Sequence, residues 1–305
     1  MYKSILNRRM LICVGTGFSS GLPLYILIQL VPAWLRDSGV SLSDIGLFAL
    51  IQMPYTWKFL WAPIIDRFTL PLGLRRGWML LFQLLLLFSV AALGFFNPTQ
   101  VTSSVALLAL LVAFFSASQD ISLDAYRREI LPDNELGLGN SIHVQAYRLA
   151  SLVPGSLSLI LADNMSWESV FLVTGCFMLF GIIMTILVAE PERSIEVKHL
   201  GLKGMVIAPF NDLISRKGKW GLVLIVSFIV MYKLGDNMAT ALSTPFYIDL
   251  GFTKTQIGLV AKNAALWPAI FGGLLGGLLM IRLGINRALW LFGFVQLLSI
   301  LGFAV

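Results

Sequence analysis

The stretch Gly39–Ala49 reads GVSLSDIGLFA, and the stretch Gly251–Ala261 reads GFTKTQIGLVA. Gly39, Ile45, Gly46, Leu47 and Ala49 recur at one fixed offset as Gly251, Ile257, Gly258, Leu259 and Ala261. Ser41 and Ser43 become Thr253 and Thr255, and Asp37 becomes Asp249. Each stretch opens a long apolar run. Each run leads into a basic loop, DRFTLPLGLRR from Asp66 and IRLGINR from Ile281. Chance likeness between apolar segments is the competing reading. One register shared by a helix entry and the loop after it weighs against chance and marks an internal repeat. The unit restarts after six apolar runs. The expected fold is therefore all-α, with two parallel six-helix halves.

Composition places those halves in a membrane. Of 305 residues, 57% are hydrophobic and 12% charged, against about 25% charged in a soluble protein. Such a chain cannot cover a soluble globule with polar side chains. This argues against a soluble enzyme, a nucleic-acid-binding domain, a disordered protein or a disulfide scaffold. The two cysteines, Cys13 and Cys176, lie in apolar runs and offer neither a disulfide framework nor a metal site. A spanning helix needs about 20 apolar residues. Nine runs meet that need, at 10–35, 43–64, 77–96, 103–126, 138–162, 167–189, 219–248, 255–281 and 288–305. The first is too long for a cleaved leader and has no small-residue cleavage site close behind it. The division expected is a six-helix half over 1–189, a charged central loop over 190–218 with an interfacial helix near 205–214, and an incomplete second half over 219–305. Three spans of that half are present, so an intact protein is expected to continue past Val305.

Charge sets the orientation. With the N-terminus in the cytoplasm, sixteen of the 22 Lys and Arg fall in inner segments and four within spans. Only Arg36 and Lys254 are left outside. That is a strong positive-inside bias, and the net charge of +6 then needs no nucleic-acid partner.

Seven charges lie within the spans: Lys58, Asp120, Asp124, Arg148, Lys233, Asp236 and Lys262. Each costs about 2.5–3.5 kcal/mol near the centre of an isolated spanning helix. They must pair or face a wet cavity. The bland reading is structural pairing; the sharper one is a substrate or proton path. Asp120 and Asp124 are four apart and share a face of the fourth span, a pattern suited to taking and releasing a proton. Asp124 could equally form a salt bridge to Arg128. Gln119 adds a neutral hydrogen-bonding group. Arg148 could hold an anionic substrate by its planar guanidinium or pair with Asp120. Lys233 and Asp236 are three apart and could pair locally. His143 reads as a polar residue of the inner leaflet. Asp66, Arg67, Arg75 and Arg76 form a loop that holds inner helix ends together and gates them. That loop could also bind a phosphate, but no nucleophile–His–acid set, HExxH, CxxC pair or Walker-type loop occurs, so no enzyme activity, cofactor or metal is expected.

GFSSGLPL (Gly17–Leu24), KFLWAPIIDR (Lys58–Arg67), SASQDISLDAYRREILP (Ser116–Pro132) and YRL (Tyr147–Leu149) closely resemble the AmpG-type muropeptide permeases. So do YKLGD (Tyr232–Asp236), GLVAK (Gly258–Lys262) and RLGINRAL (Arg282–Leu289). These permeases belong to the major facilitator superfamily, whose architecture is the doubled six-helix unit. The resemblance runs the length of the chain. It implies a multi-pass protein of the bacterial inner membrane. That protein would be a proton-coupled symporter importing anhydromuropeptides (GlcNAc-anhydroMurNAc peptides) from periplasm to cytoplasm for peptidoglycan recycling. Its partners would be that small-molecule substrate, protons and the lipid bilayer. Carried over residue by residue, it implies proton coupling at Asp120, Asp124 and Asp236. Substrate binding would fall to Gly21, Lys58, Gln119, Arg148, Lys233 and Lys262. The sequence departs from the pattern at Ala62, where the inner-loop motif has Gly, in a DR-to-RR spacing stretched by 68–74, and at Ile281 in place of Asp. Ala146 also stands where Gly is expected. A transporter of another anionic solute, such as acetyl-CoA or a peptide, and a non-transporting membrane sensor are the alternatives.

Overall fold

A computed structural model describes all residues except 1–6, 100–101, 134, 192–201, 262, 265, 273–282, 284 and 302–305. The described chain is helical. α1 runs Arg8–Asp37 through a π turn at Ile26–Leu30. α2 occupies 42–67, α3 is Leu74–Leu93 and α4 is Thr102–Ile130. α5 comprises Leu136–Ala150, a π turn at Val153–Leu157 and Ser158–Ala162. α6 is Trp167–Leu187. α7 is Leu202–Asp249, α8 opens with Lys254–Gln256 and a π turn at Ile257–Ala261, and α9 is Ile285–Leu301. Among the described residues α1, α3, α4, α5 and α6 are long and apolar enough to cross a bilayer.

Two of the expected spans have different outlines. The run 43–64 is not one helix. α2 is built from Leu42–Phe48, a 3₁₀ turn Ala49–Gln52, Met53–Trp57, a second 3₁₀ turn Lys58–Leu60, and Ala62–Arg67. Pro54 and Pro63 each start one of these pieces. Proline offers no N–H to the preceding turn, so the helix ladder breaks there. The run beginning at 219 is continuous with the stretch before it, except at Gly218. There the backbone takes φ +70 and ψ +171, which only glycine adopts without strain.

The repeat reappears in backbone detail. Gly39 and Gly251 have φ +90 and +84. The Val40 and Phe252 amides donate to Leu35 O and Tyr247 O at 3.0 and 3.2 Å. The glycine amides donate to Arg36 O and Ile248 O at 3.0 and 2.9 Å. Both α1 and α7 thus end in the same Schellman cap. The next helices also begin alike. The Ser41 hydroxyl accepts from the Asp44 amide at 3.2 Å, and the Thr253 hydroxyl from the Gln256 amide at 3.1 Å.

Within the first half α1 lies along α5. A Cβ on Gly17 would strike His143 O, and one on Gly21 would strike Tyr147 O. Lipid removes the hydrophobic drive between helices, so close contact through small residues and polar bonds holds the bundle. Thr16 and His143 meet at 3.1 Å, Ser158 and Thr174 at 2.7 Å, and Thr185 donates to Gln83 at 2.8 Å, all buried. Large side chains such as Leu11, Leu47, Phe88 and Leu187 face outward, where acyl chains would cover them.

Candidate functional site

The centre of the first half is the Ser116–Asp124 stretch of α4. Ser116, Ser118, Gln119 and Ser122 are buried beside Asp120. Asp120 retains 13% exposure, Lys58 33% and Asp124 50%. The Ser20 hydroxyl of α1 donates to Asp120 Oδ1 at 2.6 Å. Lys58 Nζ stands 3.9 Å from Asp120 Oδ2 and 3.8 Å from Asp124 Oδ2. One cation is thus shared loosely by two carboxylates a helical turn apart. The second 3₁₀ turn of α2 carries Lys58. Trp61, at the break after it, donates its indole N–H to the Ser118 hydroxyl at 2.9 Å and packs on Phe114. Asp124 also accepts from Arg127 at 2.9 Å. The salt bridge considered for Arg128 goes elsewhere: Arg128 reaches Asp133 at 3.1 Å.

Gln119 donates to Ser19 O at 2.9 Å, and its buried Oε1 has no hydrogen-bond partner among the described residues. Arg148 does not pair with Asp120 as one reading allowed. Its Nη1 donates to Ala269 O of α8 at 2.6 Å, so it bridges the two halves. Tyr147, next to it, packs on Tyr25 with ring centroids 5.4 Å apart. Gly21 serves the approach of α1 to α5. Lys233 and Asp236 lie on α7; their side chains fall outside the described residues, and so does Lys262 altogether. The local pair considered for Lys233 and Asp236 lies there too.

At the end of the bundle that carries the Arg-rich loop, four helices are tied together. Arg75 binds Asp66 at 2.5 Å and Glu129 at 2.7 Å. Glu190 accepts from the Arg75 and Arg76 amides at 2.8 and 3.0 Å. A carboxylate there satisfies free N–H groups at the positive end of α3. Arg76 donates to Thr185 O and Ile186 O at the C-terminus of α6, at 3.1 and 2.9 Å. Arg67 is exposed beside them. No group of His, Cys, Asp and Glu able to hold a metal occurs among the described residues.

The sequence profile of the Major Facilitator Superfamily matches residues 12–305. A Rickettsia conorii protein carrying the name AmpG 4 is 31% identical over 93% of this chain and 70% of its own. The chain belongs to the AmpG type of the major facilitator superfamily. An uncharacterized Haemophilus influenzae protein is 50% identical over 98% of the chain and 71% of its own length. The Escherichia coli K12 anhydromuropeptide permease is 43% identical over 92% of the chain, which spans 57% of that permease. The superfamily fold is matched by the crystal structure of a bacterial homolog of the human lysosomal transporter Spinster, in an inward-facing and unoccupied conformation. Its TM-score is 0.60 at 17% identity, covering 90% of this chain and 62% of that one. This superfamily member is thus a multi-pass membrane protein of transporter type.

Sequence reasoning missed three groups around this site. Ser20 sits inside GFSSGLPL, but only the contact with α4 distinguishes it from Ser19. Glu129 lies three residues past the predicted end of the fourth span at 126, and the helix continues to Ile130. Glu190 looks like a loop charge until the N-terminus of α3 is placed against it. A carboxylate just after an apolar run, with an uncapped glycine-led helix earlier in the chain, is the signal that could have found it.

Proposed function

We propose that this chain belongs to a proton-coupled importer of anhydromuropeptides, working from periplasm to cytoplasm by alternating access. Asp120 carries the reading. It is a carboxylate on a spanning helix, nearly enclosed, held by a hydroxyl and by a lysine almost 4 Å away. A purely structural ion pair in such a place closes to hydrogen-bond distance, because desolvation is otherwise uncompensated. Here the pair is open enough for a proton to replace the lysine. Protonation of Asp120 frees Lys58 for Asp124 or for a carboxylate of the substrate peptide. Release of the proton draws Lys58 back.

In the same reading Asp236 joins the proton path. Arg148, Lys233 and Lys262 hold substrate carboxylates, and Gln119 offers its unsatisfied carbonyl to a sugar or peptide N–H. Gly21 keeps α1 close enough to α5 for Ser20 to reach Asp120. Asp66, Arg67, Arg75 and Arg76 hold and release the cytoplasmic helix ends, and the N-terminus is cytoplasmic. The substrate class comes from the 43% identity to the anhydromuropeptide permease. The test is uptake of labelled anhydromuropeptide in cells lacking their own importer, with and without a proton uncoupler, using the complete reading frame. Uncoupler-sensitive uptake is expected. No uptake by a well-expressed protein overturns the substrate, and uptake indifferent to the uncoupler overturns the coupling.

A further inference from the structure

At the end of the bundle remote from the Arg-rich loop, the two halves meet through charge. Arg36 of α1 binds Asp249 of α7 at 2.6 Å. Lys254 of α8 binds Asp37 of α1 at 3.0 Å and stands 3.9 Å from Asp163, at the end of α5. The Lys254 ammonium also lies 5.4 Å over the Trp167 ring, and that indole donates to Asp37 at 2.7 Å. Asp163 in turn accepts from the Thr255 amide in the first turn of α8, at 2.6 Å. Among the described residues, every ion pair joining the halves lies here.

The arrangement follows from the repeat. Asp37 and Asp249 are equivalent residues, each two before the positive-φ glycine of its Schellman cap. Each takes its cation from the opposite half. The result is a pseudo-symmetric seam between the halves, at the end of the bundle remote from the Arg-rich loop.

We propose that Arg36–Asp249 and Asp37–Lys254–Asp163 form an ionic latch that closes the periplasmic mouth and must part to admit substrate. The proposal rests on the importer reading for its direction. Its strength suits a gate. The groups keep part of their exposure, so each pair alone contributes little, while the network holds together. A latch made of deeply buried pairs would fix one state, whereas a transporter needs two states of similar free energy.

The test is a distance measurement that needs no substrate. Spin labels go on Asn164→Cys and Phe252→Cys, exposed positions on either side of the seam. The complete protein, with its native cysteines replaced, is placed in lipid nanodiscs. The parent is expected to show mainly one short distance. Lys254→Asp is expected to raise the longer population about ten-fold, and Asp37→Lys added to it to bring the short distance back. Distances unchanged by Lys254→Asp, or a double variant as open as the single one, overturn the latch. If Lys254→Asp does not reach the membrane, Arg36→Glu and Arg36→Glu with Asp249→Arg are read in the same way. Failure of muropeptide uptake would overturn the importer reading and leave these distances intact. Unchanged distances would overturn the latch and leave uptake intact.

Discussion

Replacing Asp120 by asparagine keeps the side chain's size and its bond from Ser20 but removes the charge and the place for a proton. Asp120→Asn is expected to abolish uncoupler-sensitive accumulation with an unchanged level of protein in the membrane. Normal accumulation would remove Asp120 from the proton path. Ser20→Ala is a milder change. It deletes a hydrogen bond to a charged group, worth about 1.5–3 kcal/mol, and leaves Lys58 as the described partner of Asp120. Proton-driven uptake is expected to fall roughly ten-fold at equal expression, measured as initial rate against external pH. The carboxylate pair was legible in the sequence, because a spacing of four fixes a shared helix face. The partner was not. Lys58 comes from another helix, and its direction depends on the 3₁₀ turn that carries it. Arg148 was ambiguous for the same reason: its long side chain reaches a backbone carbonyl, and carbonyls have no signature in sequence.

At the scale of the helix, glycines separate two kinds of constraint. Gly39 has φ +90 with open space around its absent Cβ. Gly39→Ala therefore costs only the strain of a left-handed residue, about 1–2 kcal/mol. Gly21 has ordinary helical geometry but backs onto Tyr147 O. Gly21→Val forces α1 from α5 and costs about 1–3 kcal/mol in overpacking. It should also slow uptake, because Ser20 rides on the same turn. Thermal unfolding in detergent is expected to show both losses, with uptake impaired beyond the stability loss only in Gly21→Val. Equal uptake in the two variants would detach the α1–α5 approach from the site. The repeated glycines at 39 and 251 could be read from sequence because two copies carry them. The breaks in α2 could not be placed. Pro54 and Pro63 announce disruption, but where the 3₁₀ turns fall depends on how α2 packs against α4.

For the whole molecule, the count of Lys and Arg on each side makes a claim about the bilayer that no single contact carries. Among the described residues, Arg67, Arg75, Arg76, Arg127 and Arg128 lie at the end where Arg75 ties α2, α3 and α4. Arg36 and Lys254 lie at the other, and both are engaged across the halves. Cationic loops resist translocation, so the Arg-rich end should face the cytoplasm. The remaining two cations are free to serve the far mouth. In a cysteine-free background, Asn164→Cys is expected to react with a membrane-impermeant maleimide in intact spheroplasts. Leu72→Cys, exposed in the loop before α3, is expected to react only after permeabilisation. The reverse pattern would turn the molecule over, making the charged seam between Asp37 and Lys254 a cytoplasmic gate and the proposed importer an exporter. Reaction of both cysteines from one side would contradict the crossing itself, because three spanning helices, α3, α4 and α5, separate Leu72 from Asn164.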